Sequence, residues 1–183
     1  MGDLSPTPFE VLEARPEVLC FSLRLGLNTQ RCYSMRHYHD NIPPMHPTGH
    51  ATTWLWRGAT GDYGYPSSLD AHVFRSSDIK TALAGETYHN PNTLEDALVR
   101  GLRDSDRPLM ASWFHSVLCG LPLNRVTQTH QSNRMGEEHY ADPKLLNLAY
   151  LKGERLSLDT VEAGRVNGAH QELPLKWREK ALA

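Results

Sequence analysis

The stretch Val18-Leu19-Cys20-Phe21-Ser22-Leu23-Arg24-Leu25-Gly26-Leu27 decides how this chain is read. Leu19, Phe21, Leu23, Leu25 and Leu27 alternate with Val18, Cys20, Ser22, Arg24 and Gly26, the period of two that a half-buried strand requires. A helix would scatter the same residues around its circumference, so residues 18–27 are predicted as a strand with Leu19, Phe21, Leu23 and Leu25 buried. Residues 52–56 (Thr-Thr-Trp-Leu-Trp), β-branched and aromatic between Gly49 and Gly58, predict a second strand, and residues 71–75 a short third. The glycines and prolines of 58–66 are turn chemistry.

Beyond Asn90-Pro91-Asn92 the pattern changes. Asn92 and Glu95 look like a cap and its partner, with Leu94, Ala97, Leu98 and Leu102 on one helical face. Residues 106–120 predict a core helix, with Pro108 in its first turn and Leu109, Met110, Trp113, Phe114, Val117 and Leu118 as its apolar residues; Trp113 and Val117 are expected to be buried. Asp142-Pro143 opens a third helix ending at Gly153. Residues 157–168 and 173–182 suggest two more. The expected class is α+β: an antiparallel or mixed N-terminal sheet with long loops (15–90) and helices segregated to the C-terminal half (91–183), in one domain of 183 residues.

Net charge is −2 with pI near 6.5 and mean hydropathy −0.51, which excludes the basic footprint of a strong nonspecific DNA binder. Cys20, Cys32 and Cys119 are far apart and form no CxxC pair, so neither a disulfide framework nor a cysteine-rich zinc site is expected. With no apolar run long enough for a membrane span, the chain reads as soluble and cytoplasmic.

Four of the ten histidines crowd into one short stretch, His37, His39, His46 and His50, where Pro43, Pro44, Pro47 and Gly49 exclude a regular helix. Imidazole titrates near neutral pH and binds metals, so His37, His39 and His46 with Asp40 are candidate ligands for a divalent transition metal such as zinc, iron or manganese. The alternative is a polar surface loop whose histidines cap turns or stack on Tyr38 and Trp54.

His50-Ala51-Thr52 and His130-Gln131-Ser132 share a His-x-Thr/Ser pattern. This pair resembles the two-histidine phosphoesterases, whose paired motifs lie on strands facing one cleft. The resemblance implies His50 and His130 as the acid/base pair, with Thr52 and Ser132 holding phosphate oxygens. Arg125 and His130 also match an Arg-x4-His spacing seen in helical ribonucleases, and residues 149–161 look somewhat like a helix-turn-helix. The leading expectation is therefore a histidine-dependent phosphodiesterase or nuclease-type hydrolase acting on a nucleotide or RNA. The alternative is a non-catalytic subunit that binds nucleic acid or protein, anchored by aromatics such as Tyr63, Tyr65 and Tyr88. The first reading requires His50 and His130 in one pocket; the second leaves them apart.

Overall fold

The protein is described by a computed structural model covering residues 7–124, 134–157, 159 and 166–178. Its centre is a five-stranded mixed sheet in the order β4-β5-β7-β1-β6, built from β1 (Val18–Ser22), β4 (His46–Thr48), β5 (Ala51–Leu55), β6 (His72–Phe74) and β7 (Leu109–Trp113). β2 (Arg31–Cys32) pairs with β3 (His37–Tyr38), and β8 (Arg155–Leu156) with β9 (Trp177–Arg178), in two small ribbons. The described helices are α1 (Pro8–Ala14), α2 (Ser76–Ala82), α3 (Pro91–Gly101) and α4 (Pro143–Leu151). The class is α+β as the patterning requires.

β1 is shorter than the alternation suggests and is buried at all five positions. It lies inside the sheet, parallel to β7 on one side and antiparallel to β6 on the other, so both faces are covered. Val18 and Phe21 pack with Val11 and Leu12 of α1, and with Ala51, Ala111 and Trp113. Cys20 and Leu25 pack with Trp54, Tyr63 and Met110, while Leu19 meets Ala82, Leu98 and Leu102 of the α2–α3 layer. An irregularity in the β1–β7 register between Val18 and Cys20 shifts the simple alternation. Leu23 is only half-buried and Leu27 is exposed, because the chain turns away after Ser22.

The largest departure is residues 106–120. They form the strand β7 and a loop, not a core helix. β7 fills the gap between β1 and β5, pairing Thr53 with Ala111, Trp54 with Met110 and Ala51 with Trp113. A strand covered on both faces reads as a nearly continuous apolar run, and such a run satisfies helical spacing equally well. Trp113 is buried as expected, but Val117 is 48 % exposed on the loop beyond.

Two of the other helical expectations, those beginning near Asn90 and Asp142, hold with shifted ends. α3 is capped by Asn90, not Asn92, through a reciprocal pairing with Thr93 and with Pro91 in the first turn. α4 is capped by Asp142, whose carboxylate accepts from the Lys144 amide. The described part of 173–182 is not helical and carries β9; the rest of it, and most of 157–168, lie outside the described residues, as does the whole Arg125–His130 spacing. No helix among the described residues is long and apolar enough to cross a membrane.

Candidate functional site

Beyond β1 the chain makes a tight turn that buries a charge. The amide of Leu25 donates to Ser22 Oγ, and the amides of Val117 and Leu118 both donate to the Leu23 carbonyl. The Tyr63 hydroxyl lies 2.8 Å from the carbonyl oxygens of Gly26 and Thr29. Gly26 is needed here: a Cβ would stand 2.6 Å from the Ser116 amide nitrogen. This turn fixes Arg24, whose side chain is 2 % exposed and whose Nε is buried without a partner.

Arg24 lines a cleft of about 540 Å³ shared with Tyr33, Asp62, Asp70, Glu95 and His170, which also takes in Pro91 and Asn92 from the first turn of α3. His170 is brought there by mutual backbone bonds: the Gly120 amide donates to Ala169 O and the Gln171 amide to Gly120 O. A Cβ on Gly120 would stand 2.5 Å from the imidazole Cδ2, so glycine there lets the ring approach the backbone this closely. His170 Nε2 is 2.9 Å from Asp70 Oδ2, and Arg24 Nη1 is 3.2 Å from Nε2 and 3.4 Å from Nδ1. The direct Arg24–Asp70 separation is 4.0 Å. The His170 hydrogen bond, then burial against it and the His170 and Arg24 charges, leave the Asp70 carboxyl below its ordinary range. With Nε2–H donating to this carboxylate, Nδ1 is the basic nitrogen. Ala71, next to Asp70, has φ +55, a left-handed conformation that a non-glycine residue holds only under constraint. The constraint is visible: the Leu23 amide donates to the Ala71 carbonyl at 2.9 Å.

The far wall is braced by Glu172, a buried carboxylate that accepts from the amides of Glu137 (2.8 Å), Glu138 and His139 (both 2.6 Å) and from the Tyr33 hydroxyl. Burial opposes its ionisation, but these donors outweigh it and lower its pKa. The Glu137-Glu138-His139 run is thus an anchor through its backbone. Arg134 stacks on the Tyr33 ring at 4.3 Å and pairs with Glu137.

A second constellation lies beside the cleft. Cys32 on β2, His39 just after β3 and Asp62 on the 3-10 turn Gly61–Gly64 are all buried, with candidate ligand atoms within 4.8 Å of one another. His39 Nε2 is 3.7 Å from Asp62 Oδ2, too long for a hydrogen bond. Both His39 ring nitrogens and Asp62 Oδ2 are buried without a hydrogen-bond partner. Burial opposes ionisation of Asp62, but the His39 ring, the Arg24 charge, Cys32 and His170 outweigh it and hold its carboxyl below the ordinary range. Burial, then the Asp62 charge, pushes the Cys32 thiol up, so it is a poor free nucleophile.

Of the ligand candidates in the histidine-rich stretch, only His39 enters this cluster. His37 is half-buried, its ring 5.8 Å from that of His39 and its Nδ1 2.7 Å from the Tyr38 carbonyl oxygen. Asp40 is exposed, and His46 is exposed on β4 opposite Thr53. His50 is exposed at the β4–β5 turn, whereas Thr52 is fully buried in the sheet between Pro47 and Ser112; neither lines the cleft. Their proposed partners His130 and Ser132 lie outside the described residues. Sequence reading passed over Arg24, Asp70 and His170. The one visible signal was Arg24, a charge within the alternating apolar stretch 18–27. Compared with known proteins, the chain matches no family model, and no curated protein or solved structure is similar to it.

Proposed function

We propose that the chain is a histidine-dependent hydrolase of a phosphate ester in a nucleotide-sized ligand, with His170 as the general base, Asp70 as its positioning partner and Arg24 as the phosphate anchor. The observation that carries this reading is the 2.9 Å His170–Asp70 contact beside the buried Arg24 guanidinium in one open cleft. A carboxylate that orients an imidazole through one ring nitrogen leaves the other to take a proton from attacking water once Arg24 Nη1, 3.4 Å from Nδ1, turns to the phosphate. The cleft volume falls within the range of small-molecule sites. Its lining sets Arg24 and Arg134 against Asp62, Asp70 and Glu95, so it is no bare anion hole. A fitting ligand offers acceptors to the guanidinium and donors to the carboxylates, as the phosphate and ribose of a nucleotide do. The first turn of α3 adds the positive end of a helix dipole to the same wall.

The reaction class is the one expected from the sequence; the base is drawn from a different histidine. The test is turnover of mononucleotides, cyclic nucleotides and short RNA by the wild type, His170→Asn and Asp70→Asn. The reading requires wild-type turnover that His170→Asn nearly abolishes while its melting temperature holds. A variant as fast as the wild type would end it.

A second reading, a protein-binding subunit, is favoured by α4, where Leu145, Leu148 and Leu151 are all more than half exposed and none of the helix's residues is buried. Sedimentation of the wild type and Leu148→Asp, alone and with cell extract, checks it: a shift lost in the variant supports a partner, and one monomeric species throughout opposes it.

A further inference from the structure

We propose that Cys32 Sγ, His39 Nε2 and Asp62 Oδ2 bind one zinc ion, which fastens the β2–β3 ribbon to the Gly61–Gly64 turn behind the cleft wall. The proposal does not rest on the cleft's reading. Three donor types that zinc accepts, thiolate, imidazole and carboxylate, converge from three separate chain segments into a space closed to solvent. The His39 side chain is fully buried and the Asp62 side chain 8 % exposed, yet neither ring nitrogen of His39, nor Asp62 Oδ2, has a partner. Buried polar atoms are almost always satisfied, so the orphaned His39 Nε2 and Asp62 Oδ2, 3.7 Å apart beside Cys32, mark a missing ligand.

The spacing fits. Donors about 2.0–2.3 Å from one tetrahedral ion stand roughly 3.3–3.6 Å apart. The His39–Asp62 pair stands at 3.7 Å, and all candidate ligand atoms lie within 4.8 Å. A direct His39–Asp62 hydrogen bond would be shorter by most of an ångström. Gly61, at φ +58, lets the turn close over the site: a Cβ there would meet His39 Cε1 at 2.6 Å and Cys32 Sγ at 3.2 Å. The Tyr63 ring packs edge-on to His39 at 5.0 Å, which holds the imidazole plane. On binding, the Cys32 thiol gives up its proton to solvent and its thiolate sulfur bonds the ion, so affinity rises with pH. Three protein ligands leave one tetrahedral position for water.

The experiment uses full-length protein purified without a histidine tag, stripped by a chelator and titrated with Co²⁺ and then Zn²⁺. The expected result is about one equivalent bound, with a thiolate-to-cobalt charge-transfer band that Zn²⁺ removes. Cys32→Ser should lose the band. Should that variant not fold, Asp62→Asn decides, weakening zinc binding by more than the roughly 10–100-fold typical of losing an outer partner. Less than about a tenth of an equivalent in folded wild type, as when a water fills the space, overturns the site. So does a charge-transfer band that survives in Cys32→Ser, or unchanged affinity in Asp62→Asn.

Discussion

The two histidine sites of this molecule differ in what their polar groups lack. In the open cleft, His170 and Asp70 are paired at 2.9 Å, and solvent reaches both. In the corner behind it, His39 and Asp62 are sealed away and stand 3.7 Å apart with no hydrogen-bond partner. Asp62 belongs to both regions, lining the cleft while facing His39. A half-exposed dyad can exchange protons with a substrate and with water, which suits chemistry. A sealed, unsatisfied trio is costly unless filled, which suits a structural ion.

The sharpest way to break this contrast is to substitute the two histidines separately. His170→Asn is expected to lower kcat by about 10²–10⁴-fold with little change in stability, measured by steady-state kinetics and thermal melting. A large loss of stability with unchanged kcat would instead make His170 a structural residue like His39.

Next in size is the brace of the cleft's far wall. Glu172→Gln leaves amide donors of 137–139 without a charged acceptor and is expected to cost about 2–4 kcal/mol in urea unfolding. Gly61→Ala, which forces a Cβ against His39 at positive φ, should cost about 1–3 kcal/mol. Asp70→Ala in the open cleft should cost no more than about 1 kcal/mol, since exposed ion pairs contribute little. Equal costs for Gly61→Ala and Asp70→Ala would erase the distinction between sealed and open sites.

A pH series sharpens it further through His72, a third histidine. His72 Nδ1 lies 3.0 Å from the Pro66 carbonyl oxygen, and Nε2 is buried without a partner. Burial, then the Arg24 charge, pushes its pKa down to about 3. Unfolded, it titrates near about 6.5, so between those values the unfolded chain binds the extra proton. Its contribution to stability is therefore complete above about pH 6.5 and is lost as the pH falls toward about 3. Asp62 and Glu172, with lowered pKa values, lose theirs only below about pH 4, the ordinary carboxylate range. Urea midpoints of wild type and His72→Asn should converge as the pH is lowered from 7 to 4; parallel curves would show that His72 titrates normally. The smallest expected effect is His46→Asn, which should leave zinc affinity and stability unchanged within about 0.5 kcal/mol, as befits an exposed edge-strand residue.

What could be read from the chain followed the range of each signal. The Asp142-Pro143 start of α4, the strands at 18–22 and 51–55 and the apolar face of α3 rest on residues within a few positions of one another, so they were legible. The histidine-rich stretch, singled out in the sequence, contributes one buried imidazole, His39, to a Cys-His-Asp cluster, and no local signal marked His39 out from its neighbours. Alternation alone could not choose His39 over His37 or His46, because the choice depends on Cys32 and Asp62 arriving from β2 and the Gly61–Gly64 turn.

The sequence by itself determined the α+β class, the Asp142-Pro143 helix start and the strands near 18–22 and 51–55, because propensity, periodicity and capping act locally. Tertiary structure alone decided that Leu109–Trp113 is a strand, since only an open place between β1 and β5 distinguishes it from a helix of the same composition. It also decided the candidate site. Arg24 meets His170 across 146 positions, and Asp70 meets it across 100. Contacts at such separation are set by which strand edges pair and which loops those pairings bring together, and no local pattern encodes that.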